Sequence, residues 1–189
     1  RYSAGLTKRM NNLLEKADAE LTARLRERLA AFGDGPIDFT GQRWKALMSD
    51  IQEARAGVIS PIYETTKDEL QQLGVQEGQR EINMLQASIP VEVSFTAVAA
   101  DQLKAIVNSR PFQGRLLKEW FGGLEQTDRA RIQQALQLGM AQGETIDDIV
   151  RRVVGTRAND YADGILSITR RDATTVIRTA VNHVSNAAR

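Results

Sequence analysis

His183 is the single imidazole in a chain of 189 residues that contains no cysteine. Thiol nucleophiles, disulfides and zinc clusters built from His and Cys are excluded for this sequence. The residues that could still do chemistry are few. Asp147 and Asp148 are adjacent, and Asp160 and Asp163 lie in a Gly-flanked stretch. Neighbours on a helix point about 100° apart, so Asp147 and Asp148 do not converge on one metal ion. They follow Thr145 as first-turn acids, where a carboxylate suits the positive end of the helix dipole. Asp160 and Asp163 read as loop-solubilising acids. His183 stands between Val181 and Val184 with no nucleophile at helical spacing, so it reads as a packing or hydrogen-bonding residue and not as a general base. Arg178, Asn182 and Asn186 recur every fourth position, which places them on one polar stripe. That stripe suits a polar network between helices or subunits; the alternative is a solvated face. Neither a Gly-x-x-x-x-Gly-Lys-Ser/Thr phosphate loop nor a Gly-x-Ser-x-Gly elbow occurs. No catalytic residue, cofactor or metal site is expected.

The basic residues give little more. Arg24, Arg26 and Arg28 crowd one helix end, and Arg151/Arg152 and Arg170/Arg171 form doublets near helix ends. The formal charge is +1. It is uneven along the chain: +3 over residues 1–31, −5 over 32–100 and +3 over 101–189. Such a pattern is better matched to charge-complementary assembly than to autonomous DNA binding. Weak phosphate contact with concentrated duplex DNA stays open.

The elements that must position these residues are helices. Leu6, Met10, Leu13, Ala17, Leu21, Leu25, Leu29 and Phe32 follow one another at steps of three and four, which is helical spacing. The Gly33-Asp34-Gly35-Pro36 cluster ends that helix. A second helix is expected from Thr40 or Gly41, carrying Trp44, Leu47, Met48, Ile51 and Val58, with an interruption at Pro61. Residues 62–87 favour helix but carry a thin apolar stripe. Ile89 to Phe95 alternates and contains Pro90, so an extended linker over 89–95 is expected. Helices then resume over about 96–109, 115–121 (ending at Gly122-Gly123), 127–141 and 146–154. A loop over 155–164 follows, with a last helix starting at Thr169-Arg170-Arg171-Asp172 as a cap.

The expected fold is all-α and elongated, with long N-terminal helices and a C-terminal bundle of shorter ones. Its divisions are a long-helix region over 1–88, the linker over 89–95 and a helical region over 96–189. No stretch approaches the roughly 20 apolar residues of a membrane helix. The chain opens on Arg1, and its last helical pattern runs to Arg189 without a stop signal, so a longer parent protein is expected. The helix over 6–32 and the sparse one over 62–87 read as partner-contacting. The candidate contact face is Leu6, Met10, Leu13, Leu21 and Leu25.

One further pattern narrows the reading. Gly139 to Arg152 fits a Gly-x-Ser/Thr-x-x-x-Ile-x-x-x-Ile/Val step. It is followed by Thr169-Arg170-Arg171-Asp172-Ala173 and then by Ile177 to Arg189. Together these residues resemble the Mu F-like minor head proteins, the head-morphogenesis family of tailed bacteriophages. That family's last helix typically reads Arg-Thr-Glu-x-Asn-x-Ala-x-Asn-Ala. Arg178, Thr179, Asn182, Asn186 and Ala187 match it; Ala180 and Val184 depart from it. The resemblance covers roughly residues 127–189. It implies a virion component, present in several copies at the portal vertex or capsid interior. The implied partners are the portal protein or the major capsid protein, with packaged double-stranded DNA as a further contact. It also implies a role in head assembly and genome delivery. Alternatives are a DNA-contacting ejection protein, or the non-catalytic part of a chain with an enzymatic C-terminal domain.

Overall fold

The computed structural model describes residues 2–32, 39, 41–88 and 99–188. The cluster over 33–36, the start at Thr40 and the linker over 89–95 lie outside them. The described residues form an all-α, multi-helix protein. The helices are α1 (Tyr2–Ala30), α2 (Gln42–Ser88), α3 (Ala100–Ser109), α4 (Leu117–Ala141), α5 (Ile146–Val154) and α6 (Ile165–Ala187). A short 3₁₀ turn, Arg157–Asn159, lies between α5 and α6. No described helix is long and apolar enough to cross a membrane.

Three boundaries differ from the sequence expectation, each for a physical reason. Helix α2 runs unbroken through Pro61 for 47 residues, about 70 Å at 1.5 Å per residue. An internal proline costs about 3 kcal/mol. Val58, Ile59, Ile62 and Leu70 are all buried around it, and each such side chain contributes about 1.5–3 kcal/mol. Burial therefore outweighs the break. Helix α4 likewise continues through Gly122 and Gly123. Each glycine costs about 1 kcal/mol relative to alanine, and the buried neighbours Leu117, Phe121 and Leu124 offset it. Helix α6 starts at Ile165, four residues ahead of the expected cap, because Leu166 is buried in the core and extends the helical face backward. By contrast, Thr145 caps α5 as its sequence suggests, accepting from the Asp148 N–H at 3.2 Å.

The long N-terminal helices pack directly on the shorter C-terminal ones. Helix α1 packs on α2, α5 and α6, and α2 packs on α3, α4 and α6. The described residues form two apolar clusters, and both draw on both sides of residues 89–95. One joins Leu6, Met10 and Leu14 to Ile62, Phe121 and Ile177. The other joins Leu21, Leu25 and Leu47 to Ile132, Val153 and Leu166. The division into 1–88 and 96–189 thus does not divide the core. Close approach explains one glycine: a Cβ on Gly74 would lie 2.9 Å from Leu103 and 3.5 Å from Val184, where α3 and α6 meet α2.

The expected contact face of α1 needs correction. Leu6, Met10, Leu21 and Leu25 are at most 1% exposed, so this face is spent inside the chain. Leu13 is 42% exposed and stands off the stripe, which passes through Leu14 and Asp18 instead. The sparse stretch of α2 splits in two. Ile62, Thr66, Leu70 and Leu73 are buried, whereas Met84 and Leu85 are exposed.

Candidate functional site

Arg178, Asn182 and Asn186 all lie exposed on α6. Val176, Ile177, Ala180, Val181 and Val184 bury the opposite side of that helix. None of the three polar side chains has a hydrogen-bond or ion-pair partner among the described residues. Arg178 also lines a groove of 480 Å³ between α6 and α1, together with Arg170, Arg171, Asn11 and Glu15. The expected stripe is therefore one continuous outward surface.

The acids singled out by spacing do separate structural jobs. Asp147 pairs with Arg26 of α1, and that contact holds its carboxyl below the usual range. Asp148 accepts from Arg151 at 2.8 Å. Asp163 closes the loop after α5. It accepts from the Thr156 N–H and hydroxyl, each at 2.7 Å, and from Asn159 Nδ2 at 2.9 Å. These donors, Asn159 foremost, lower its pKa to about 2. Among the described residues no group of three His, Asp or Glu is placed to hold a metal. His183 lies half-buried with its ring 5.6 Å from Phe112. Burial and then the charge of Arg110 lower its pKa, so the ring is neutral at pH 7 and a poor proton donor.

Of the seven arginines singled out by their crowding, five form ion pairs within the chain. Arg26 pairs with Asp147, Arg28 with Asp50, Arg151 with Asp148, Arg152 with Glu144 and Arg170 with Asp18.

Sequence spacing missed a buried polar cluster that joins four helices. Arg55 of α2 is 1% exposed. Its Nη1 donates to Asp18 Oδ1 of α1 at 2.6 Å, and its Nε donates to Asp128 of α4. Thr169 of α6 donates its hydroxyl to the other Asp128 oxygen. Arg170 approaches the second Asp18 oxygen at 3.4 Å. Two carboxylates thus face two guanidiniums, and the group is neutral as a whole. Burial raises the pKa of Asp18, against the pull of Arg55 and Arg170. On each helix the polar member sits between buried apolar neighbours: Leu14 and Leu21, Ile51 and Val58, Leu124 and Ile132, Leu166 and Ala173. The layer therefore separates the two apolar clusters and takes one or two residues from each of four helices. A buried ion network is weak evidence for stability but can fix helix register. Asp18 also lines a 540 Å³ cavity with Glu15, Asp160, Tyr161 and Arg170. Thr169, expected as a cap, belongs to this layer. The signal available in the sequence was a polar residue, Asp18, Arg55, Asp128 or Thr169, set between apolar residues at helical spacing.

No protein-family model, curated protein or solved structure matches this chain. Fold and site together define a class only: an all-α protein with an ion-pinned core and an unpaired polar stripe on its last long helix.

Proposed function

We propose that this chain is a structural, non-catalytic component of a tailed-phage head, a minor head protein docked on the portal or the inner capsid in several copies. The observation that carries this reading is the stripe Arg178, Asn182 and Asn186. These three residues belong to the motif that resembles the head-morphogenesis family, and they stand outward on α6 without intramolecular partners. Unpaired polar side chains on a rigid helix suit recognition of a second protein surface. The ion layer supports the same reading, since it fixes α6 against α1, α2 and α4.

The test is co-expression with the portal protein and the major capsid protein of the same genome. Co-purification with either one, weakened by Arg178→Glu and Asn182→Asp, is the expected result. A monomer that binds neither protein overturns the reading. One observation favours a second reading, DNA contact: Arg171 and Arg178 both line the α1–α6 groove, and neither forms an ion pair among the described residues. A shift of duplex DNA at about 50 mM salt that fades as salt rises would support it.

A further inference from the structure

A further cleft, of 320 Å³, opens between the first turns of α4 and the middle of α6. Its floor is Leu124 and Val176, both buried, and one wall is the half-buried indole of Trp120. That indole is held on two sides. Its Nε1 donates to the Phe112 carbonyl at 3.2 Å, and its ring stacks on Phe112 with centroids 6.0 Å apart. Arg115 lies over the same ring, 5.1 Å from its centroid.

The turn that delivers Arg115 is itself strained. Phe112 and Arg115 exchange backbone hydrogen bonds at 2.9 and 3.2 Å. The two residues between them have positive φ, 49° at Gln113 and 79° at Gly114. Glycine adopts this conformation freely and glutamine does not. Strain of this kind concentrates where a side chain must be held ready.

The charge at the cleft is unbalanced. Arg131 and Asp172, which also line it, neutralise each other at 2.8 Å. Arg115 has no ion-pair partner among the described residues. One positive charge is therefore left beside an aromatic wall and an apolar floor. Gly123 lines the cleft as well, and a Cβ there would meet only the tip of Arg115, at 3.5 Å; beside it, Gly122 would meet nothing within 4 Å. The chain's own packing does not call for glycine at either place. Glycine inside a helix is used where something must approach the backbone closely.

We propose that this cleft binds a carboxylate carried on an aromatic or branched apolar group, with the apolar part on Trp120 and Leu124 and the carboxylate on Arg115. Trp and Arg are enriched among the residues that carry binding energy at protein interfaces. The volume lies at the small end of ligand pockets and suits a single ring with its acid group. The inference goes beyond the minor-head reading and stands or falls independently of it.

The test follows the two indole signals by NMR, Trp120 as reporter and the buried Trp44 as internal control. The probes are phenylacetate, phenylacetamide and the capped dipeptide N-acetyl-Asp-Phe-amide. A saturable shift of the Trp120 signal by phenylacetate or the dipeptide is expected, with phenylacetamide at least about tenfold weaker. Gly123→Leu fills the cleft with a good helix former, and Arg115→Gln removes the charge. Each is expected to weaken binding at least about tenfold while the Trp44 signal stays in place. Tighter binding of the dipeptide assigns the ligand to a segment of a partner protein; tighter binding of phenylacetate assigns it to a free acid. The proposal is overturned by the absence of saturable binding up to about 10 mM, by equal binding of the amide, or by undiminished binding to Gly123→Leu.

Discussion

Arg55 of α2 and Asp18 of α1 meet at 2.6 Å in the interior, 37 residues apart in sequence, with Asp128 on the other edge of the same guanidinium. Two acids 110 residues apart in sequence thereby share one buried base, with Arg170 beside Asp18 balancing the remaining charge. Removing Arg55 alone would leave Asp128 buried with no cation beside it and Asp18 with only the longer contact to Arg170, 3.4 Å.

Arg55→Met is therefore expected to destabilise the fold by about 3–5 kcal/mol. The penalty comes from stranded charge and not from lost packing. Replacing the whole layer, with Asp18→Leu, Arg55→Met, Asp128→Leu and Thr169→Val, is expected to recover most of that loss. Urea unfolding of both variants checks the pair of outcomes. If the fourfold variant is as unstable as Arg55→Met, the layer contributes stability outright, and the register argument fails.

The stripe on α1 yields a sharper contrast between neighbours. Leu14 is fully buried and Leu13 is 42% exposed. Leu14→Ala is expected to cost about 2–5 kcal/mol, as for other deeply buried leucines. Leu13→Ala is expected to cost less than about 1 kcal/mol. Thermal unfolding of the two single variants decides it, and equal costs would move the stripe back to Leu13.

That contrast also shows what the sequence could and could not reveal. Helical spacing identified the class of fold, the cap at Thr145 and the apolar face of α6, because each depends on residues close in the chain. Reading α1 through Leu13 and Ala17 kept the stripe wholly apolar. The true path through Leu14 and Asp18 puts a charge in the core. Nothing local to α1 makes that acceptable, since the compensating groups are Arg55 and Arg170, far along the chain. Pro61 and the Gly122-Gly123 pair misled for a related reason. Local propensity disfavours helix there, while tertiary burial of Ile62, Phe121 and Leu124 outweighs it. The outward stripe on α6 was visible because exposure of Arg178, Asn182 and Asn186 follows from periodicity alone. The cleft at Trp120 was not, because its floor comes from α4 and α6 together.

Pro61 is exposed on α2 and lacks the N–H that would reach the Gly57 carbonyl. Pro61→Ala restores that bond and is compatible with the helical backbone. Part of the gain is offset by greater freedom of the unfolded chain, so a net stabilisation of about 1–2 kcal/mol is expected. For a chain of this size it corresponds to a rise of several degrees in Tm. A fall in Tm would mean that the proline imposes a bend the packing of α2 requires.

Asp163 supplies the pH dependence. Its folded pKa, about 2, lies below the ordinary value of 3.8, so folding favours the ionised form. The stabilisation it provides is fully present above about pH 4 and is lost as pH falls through about 2. Below that range the protonated carboxyl accepts more weakly from Thr156 and Asn159, and the clasp on the loop between α5 and α6 loosens. Asp163→Asn keeps the shape but removes the charge. The variant is expected to be less stable than the wild type at neutral pH and to match it near pH 2. Because the side chain is solvent-accessible, the difference should shrink as salt is added. Thermal unfolding from pH 2 to 7 at low and high salt measures all three outcomes. A difference that does not narrow toward acid would show that the clasp depends on the shape of the side chain and not on its charge.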